Sequence, residues 1–297
     1  MPESKLSTGV ARRASLPIAI GLPIAALLIL FFVVLLFPWE SLGRRIAWEI
    51  SNVSGARVDV PNLSPALTAR GPVLRARDVT IEHPAVDRVP LFELEISPRF
   101  STSWFGGEPT LRLWARSGLG DIDGLLRLGR KAAYVGKVSE VELSRLPLRL
   151  DTSRLRFRGM LSADAHVELD PGGTLHGRID FESTSLNVQS DRWPIAIPFT
   201  RAHGTIEILE TGATRVDSVV LEGQIVEADL SGEIGLVHRS QSPPIDFTAH
   251  LRVLDATLRQ LAPGAGLPLS SAGEADLRVG GTLDAPRIIP GTQRRAG

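Results

Sequence analysis

Residues able to do chemistry are present in this chain, but never at the spacing that chemistry needs. Gly280-Gly281-Thr282, within GEADLRVGGTLDAPRI at Gly273–Ile288, has the glycines of a phosphate cradle. It lacks the lysine and the following helix that phosphate binding uses, so it predicts a strand with a bulge or tight bend, stopped at Pro286. The histidines, His83, His166, His176, His203, His238 and His250, are scattered and form no HExxH run or ligand cluster. No Gly-x-Ser-x-Gly elbow appears. Arg112-Leu-Trp114-Ala-Arg116 has the composition of a base-stacking platform. With 33 basic and 33 acidic residues, however, the chain has no global attraction for nucleic acid, and the segment reads as a solvated sheet face. The chain has no cysteine, which excludes disulfides and thiolate metal sites and suits an oxidising compartment. The expectation is no enzyme, no cofactor, no metal and no nucleic-acid partner.

Two further polar pairs depend on strand register. In Leu161-Ser-Ala-Asp-Ala-His-Val-Glu-Leu169 odd positions are apolar and even ones polar. After the turn at Asp170–Thr174, Leu175, Gly177, Ile179 and Phe181 alternate with His176, Arg178, Asp180 and Glu182. Cross-strand partners share a face, so Leu169 must meet Leu175, Val167 Gly177, Ala165 Ile179 and Ala163 Phe181. That register sets Glu168 against His176, an ion pair, and Asp164 against Asp180. Facing carboxylates have the form of an acid/base pair, but on a wet sheet face they read as a tolerated clash.

The same period of two recurs in Phe92, Leu94 and Ile96, in Leu111, Leu113 and Ala115, and in Leu155 and Phe157. It continues through Ile206 and Ile208, Val219 and Leu221, Val226 to Leu236, Phe247 to Val253, and Ala275, Leu277 and Val279. A parity change near Ile225 predicts a bulge there. Helical spacing appears only at Ser41–Val53, weakly at Asp121–Val135, and at Asp255–Leu261, where Asp255 would cap. The fold class is mainly β: an elongated, curved, mostly antiparallel sheet, as an open half-pipe or a sandwich, with a few short helices. Leu161, Ala163, Ala165, Val167, Leu175, Ile179, Phe181, Leu277 and Val279 are the candidate apolar face, which needs a second sheet, a partner or lipid.

Ahead of this domain, Leu16 to Phe37 carries no charged or strongly polar residue. As a helix with about 1.5 Å rise per residue it crosses a hydrocarbon core of roughly 30 Å. It is longer than a signal-peptide core and ends in Phe37-Pro38-Trp39-Glu40 rather than a small-residue cleavage site, so it reads as an uncleaved anchor. Lys5, Arg12 and Arg13 precede it, which places the N-terminus in the cytoplasm. The expected organisation is 1–15 cytoplasmic, 16–38 transmembrane, 39–55 an amphipathic helix, 56–289 the exported β-domain and 290–297 a polar tail. Leu16, Phe37 and Trp39 mark the anchor.

This layout, with Ser54-Gly-Ala-Arg-Val-Asp-Val60, Leu74-Arg-Ala-Arg-Asp-Val-Thr-Ile81 and the closing Gly273–Pro286 repeat, resembles the type II secretion system protein N family. It is also similar to the broader AsmA-like group of bacterial envelope proteins. Gly273, Ala275, Leu277, Val279, Gly281, Leu283 and Pro286 fit the recurring Gly-x-apolar-x-apolar-x-apolar-x-Gly-x-Leu-x-x-Pro form, and Gly232-Glu-Ile-Gly-Leu236 echoes it. The resemblance implies a nonenzymatic inner-membrane protein with a periplasmic domain that docks on other type II secretion subunits, its edge strands open to augmentation. The alternative it implies is an apolar sheet face holding acyl chains of phospholipid or lipopolysaccharide. It supplies no catalytic residue.

Overall fold

The computed structural model describes Leu28, Phe32 and residues 36–290, with breaks at 55–56, 69–70, 84–85, 100–105, 130, 146–154, 171–173, 191–195, 237–241, 263–268 and 283–284. Most of the run 16–38, including Leu16, and the tail 291–297 lie outside the described residues. Among those residues no helix is long and apolar enough to cross a membrane.

The alternating segments form one 16-stranded sheet in which every observed pairing is antiparallel. Helix α1 (Trp39–Ser54) comes first, then β1 (Arg57–Asp59), β2 (Ser64–Thr68), β3 (Gly71–His83), β4 (Val86–Arg99), β5 (Thr110–Ser117), β6 (Asp121–Arg127) and β7 (Ala132–Glu142). There follow β8 (Leu155–Leu169), β9 (Leu175–Ser190), β10 (Ile197–Phe199), β11 (Arg201–Ile208), β12 (Thr214–Glu222), β13 (Val226–Ile234) and β14 (Pro244–Val253). The short helix α2 (Ala256–Leu261) precedes β15 (Glu274–Thr282) and β16 (Ala285–Pro290). The order is a meander, β1-β3-β4-β5-β6-β7-β8-β9-β11-β12-β13-β14-β15-β16, with β2 beside β3 and β10 beside β9. Among the described residues β1 and β16 are the two ends of this one hydrogen-bonded sheet and do not pair with each other.

The predicted hairpin register is the observed one from Leu169↔Leu175 through Ala163↔Phe181, and a hydrogen bond from Asp170 N to Thr174 O, 3.0 Å, closes the turn. Four readings change. The weak helix at Asp121–Val135 is the β6–β7 hairpin: Ile122, Gly124 and Leu126 face one way, while Asp121 and Asp123 meet Arg116 and Arg112 of β5 on the other. The parity change at Ile225 is the connection between β12 and β13, and the register shift lies earlier, between Val216 and Val219. Gly280 and Gly281 continue β15 without a shift, Gly281 at φ +103°. Pro286 does not stop pairing; it sits opposite Gly281 on the outermost strand, where a missing N–H costs no ladder bond.

Bulges keep the apolar face continuous where sequence parity breaks. Asp78 at φ +56° lets β3 pass from Leu74 and Ala76 to Val79 and Ile81 on one face. Glu140 at φ +58° does the same in β7 before Val141. In β4 the shift between Leu91 and Glu93 leaves Phe92 55% exposed, so buried Leu91, not Phe92, continues the apolar set of half-buried Leu94 and Ile96.

α1 seals one end of this face. Ala47 is buried with Val60, Leu63, Ala76, Val79, Leu91 and Ala115, and half-buried Leu42 packs on them. Ser51 Oγ accepts from Val58 N at 3.1 Å, tying the helix to β1. The side chains of Ile46, Ile50 and Val53 lie outside the described residues. Near the other end Asp255 caps α2, its carboxylate accepting from Leu258 N at 2.9 Å, and Leu258 packs on the cluster of Leu186, Phe199, Ala202 and Val226.

Candidate functional site

Following one cross-strand row from β3 to β15 gives Ala76, Leu94, Ala115, Ile122, Val138, Ala163, Phe181, Gly204, Val219, Leu230, Ala249 and Leu277. No polar side chain interrupts it. The next row, Leu74, Ile96, Leu113, Gly124, Gly136, Ala165, Ile179, Ile206, Val216, Gly232, Phe247 and Val279, is apolar as well. At roughly 4.8 Å per strand these rows extend about 50 Å, some three times the ~15 Å depth of one leaflet of hydrocarbon.

Burial along the rows is uneven. Ala76 and Ala115 are 0% and 1% exposed beneath α1. Leu277 is sealed too, in a cluster with Ala249 and Ala275, so it belongs to a core and not to an open groove. In the middle, Leu161, Ala163, Ala165, Val167, Ile179 and Phe181 are all only half-buried, as is Val279 near the far end, and Leu175 is 45% exposed. Among the described residues the face is thus most deeply buried beneath α1 and around Leu277, and along these positions of β8 and β9 it is left partly open.

A tyrosine marks the start of the uncovered stretch. Gly124 and Gly136 face one another across β6 and β7, and the Tyr134 ring lies over both, so that a Cβ on Gly124 would fall 2.7 Å from the ring. The Tyr134 hydroxyl is buried and makes no hydrogen bond in this structure. Burial, and secondarily the negative charge of Asp123, pushes its pKa up. The phenol therefore stays neutral and adds a large flat surface to the face.

The opposite face is a lattice of ion pairs. Arg75 bridges Glu93 and Glu95, Arg112 pairs with Asp123 at 2.7 Å, Arg215 spans Glu207 and Glu233, and Arg278 pairs with Asp246 at 2.7 Å. Arg116 lies 5.1 Å from the Trp114 ring and pairs with Asp121, so the Arg-Trp-Arg segment is occupied by its own neighbours. Asp164 and Asp180 do face each other, but Asp180 is turned to Arg178 and Thr205 Oγ1. Those hydrogen bonds, Arg178 first, hold its carboxyl below the usual range. It is therefore not a carboxyl kept protonated for acid catalysis. An open hollow of about 810 Å³ on this face is lined by Arg112 and Asp123, by Arg178 and Asp180, and by Lys137, Asp164 and His166.

His176 meets Glu168 as the register required, Nε2 to Oε2 at 3.6 Å. Sequence reasoning missed its second neighbour, Asp170, at 3.4 Å from Nδ1 without hydrogen-bond geometry. His166 reaches the same Glu168 at 3.4 Å, and that bond, first among several favourable contacts, lowers the Glu168 pKa. Among the described residues no group of three or more His, Asp or Glu side chains has the geometry to hold a metal ion. Of the anchor residues, Phe37 is exposed and its ring lies tilted against half-buried Trp39, with ring centroids 4.6 Å apart.

No family model, no curated protein and no solved structure matches this chain.

Proposed function

We propose that this protein is a nonenzymatic, membrane-anchored envelope protein whose uncovered sheet face holds lipid acyl chains. The observation that carries the reading is the pair of unbroken apolar rows, most deeply buried near both ends and, among the described residues, only half-buried at Ala163, Ala165, Ile179 and Phe181 of β8 and β9. An apolar surface this long does not stay in water without a ligand or partner. Acyl chains fit it because the two rows present only aliphatic, aromatic and glycine positions, with no directional contact along them. Its length exceeds one chain, so several could lie along it. The anchor is the run Leu16–Phe37, and the β-domain stands in the periplasm with the N-terminus in the cytoplasm.

Docking on type II secretion subunits is the second reading, and it draws on the motif resemblance of the closing Gly273–Pro286 repeat. The strand edges give it less support. β1 has three residues, and β16 carries Pro286 and Pro290, a composition that discourages strand addition.

Mass spectrometry of the full chain purified in mild detergent tests the lipid reading. It predicts copurifying lipid that drops several-fold in an Ile179→Asp, Phe181→Asp variant, while lipid around the anchor remains in both. Equal lipid in the two proteins, with the variant folded by circular dichroism, would contradict it.

A further inference from the structure

The face of α1 that does not touch the sheet has a composition of its own. The helix turns Gly43 and Ala47 inward, Gly43 so close that a Cβ would lie 3.0 Å from Val60 O. On the other side Ser41, Arg44, Arg45 and Trp48, at i, i+3, i+4 and i+7, are all exposed. Trp48 is 53% exposed, and the Arg45 guanidinium lies 5.0 Å from its ring centroid. Arg44 donates to Ser41 Oγ at 3.1 Å. Glu40, in the first turn of the helix, lies one turn before Arg44.

An indole and two guanidiniums side by side suit the zone between water and hydrocarbon. The ring takes the apolar depth, and the arginine stems bury while their heads reach phosphate. The chain just before α1 leads there. Leu28, Phe32 and Leu36, spaced four apart within the apolar run, are exposed, and Phe37 and Trp39 follow. We propose that α1 is an interfacial foot, whose Arg44–Arg45–Trp48 stripe docks on anionic phospholipid headgroups of the bilayer that the run Leu16–Phe37 enters. The sealed end of the sheet then rests one helix diameter, about 10 Å, from the membrane surface, and the uncovered stretch begins beyond it. This rests on the anchoring part of the proposed function and is independent of what occupies the sheet face.

The absence of cysteine makes the test direct. A spin label is placed on the full chain at Trp48→Cys, and on a second chain at Asp276→Cys, whose side chain is 85% exposed on β15. Both are reconstituted in nanodiscs of phosphatidylglycerol with phosphatidylcholine, and in discs of phosphatidylcholine alone. The foot predicts a several-fold higher ratio of oxygen to nickel-chelate accessibility at position 48 than at 276 in anionic discs. That excess falls in neutral discs, and it falls again in anionic discs when Arg44→Gln and Arg45→Gln are added. Brominated-lipid quenching of the unlabelled chain, reduced by Trp48→Phe, reports the same contact with the indole in place. A label at 48 as open to nickel as that at 276, in chains that have entered the discs, overturns the foot and leaves the anchor standing. Protection that ignores both lipid charge and the arginines assigns the stripe to a protein partner instead. Chains that fail to enter discs overturn the anchor and the foot together.

Discussion

Ala76 and Ala115 stand in the same cross-strand row as Ala163 and Phe181, yet the first two are fully buried and the second two are not. The strands alternate alike in both regions, and the face is the same. What differs is the cover: α1 lies on the first region, and no described element lies on the second. Alternation in a strand therefore specifies which face is dry without specifying what dries it. At the covered end the answer lies in the chain itself; in the middle no described element supplies a full cover.

The largest effect that would sharpen this contrast is a pair of truncations. Leu91→Ala, beneath α1, should cost about 3 kcal/mol by urea unfolding, because it removes buried contacts and leaves a cavity. Ile179→Ala, in the open stretch, should cost roughly 1 kcal/mol, since a half-buried side chain has less to lose. Equal costs would mean that the middle is as sealed as the end. Gly124→Ala comes next, at about 1–3 kcal/mol, because the new methyl must displace the Tyr134 ring. Tyr134→Phe should be close to neutral, or a gain of up to about 1 kcal/mol in thermal unfolding, as it deletes a buried hydroxyl that has no partner.

The smallest effect belongs to the charged face. Arg278 holds the Asp246 carboxyl below its ordinary value of 3.8. A carboxyl depressed on folding adds stability above its unfolded pKa and loses it as pH falls through the folded one. Asp246→Asn should then melt slightly below wild type at neutral pH, and the two curves should meet in acid. Exposed pairs of this kind contribute little, so a large drop would show that the lattice acts as a unit.

Much of this was legible in the sequence because a period of two is a strong signal when one face is dry. The β8–β9 register, the Asp255 cap and the α1 helix all followed from parity, capping chemistry and helical spacing. Asp121–Val135 did not, because Gly124 and Gly136 stand where apolar residues would have shown the alternation, and their place is filled by Tyr134 from the next position along. Phe92 misled for a different reason: one extra residue at the β4 bulge inverts parity, and nothing in the residue types marks it. That the helix packs on the sheet was legible from its apolar stripe, but how far the cover extends was hidden, since burial depends on contacts between distant segments. Leu277 and Ile179 look alike in sequence, yet only Leu277 is sealed, packed with Ala249 and Ala275 in a cluster that also takes in Leu269.

The central claim is that the uncovered stretch of the apolar face meets lipid. A photoreactive phenylalanine analogue placed singly at Phe181, Asp180 or Leu91 in cells reads it directly, because 180 and 181 are chain neighbours on opposite faces and Leu91 lies under α1. The account predicts lipid adducts at 181 and none at 180 or 91. Adducts at 181 that are only protein, or lipid adducts equal at 180 and 181, would contradict it.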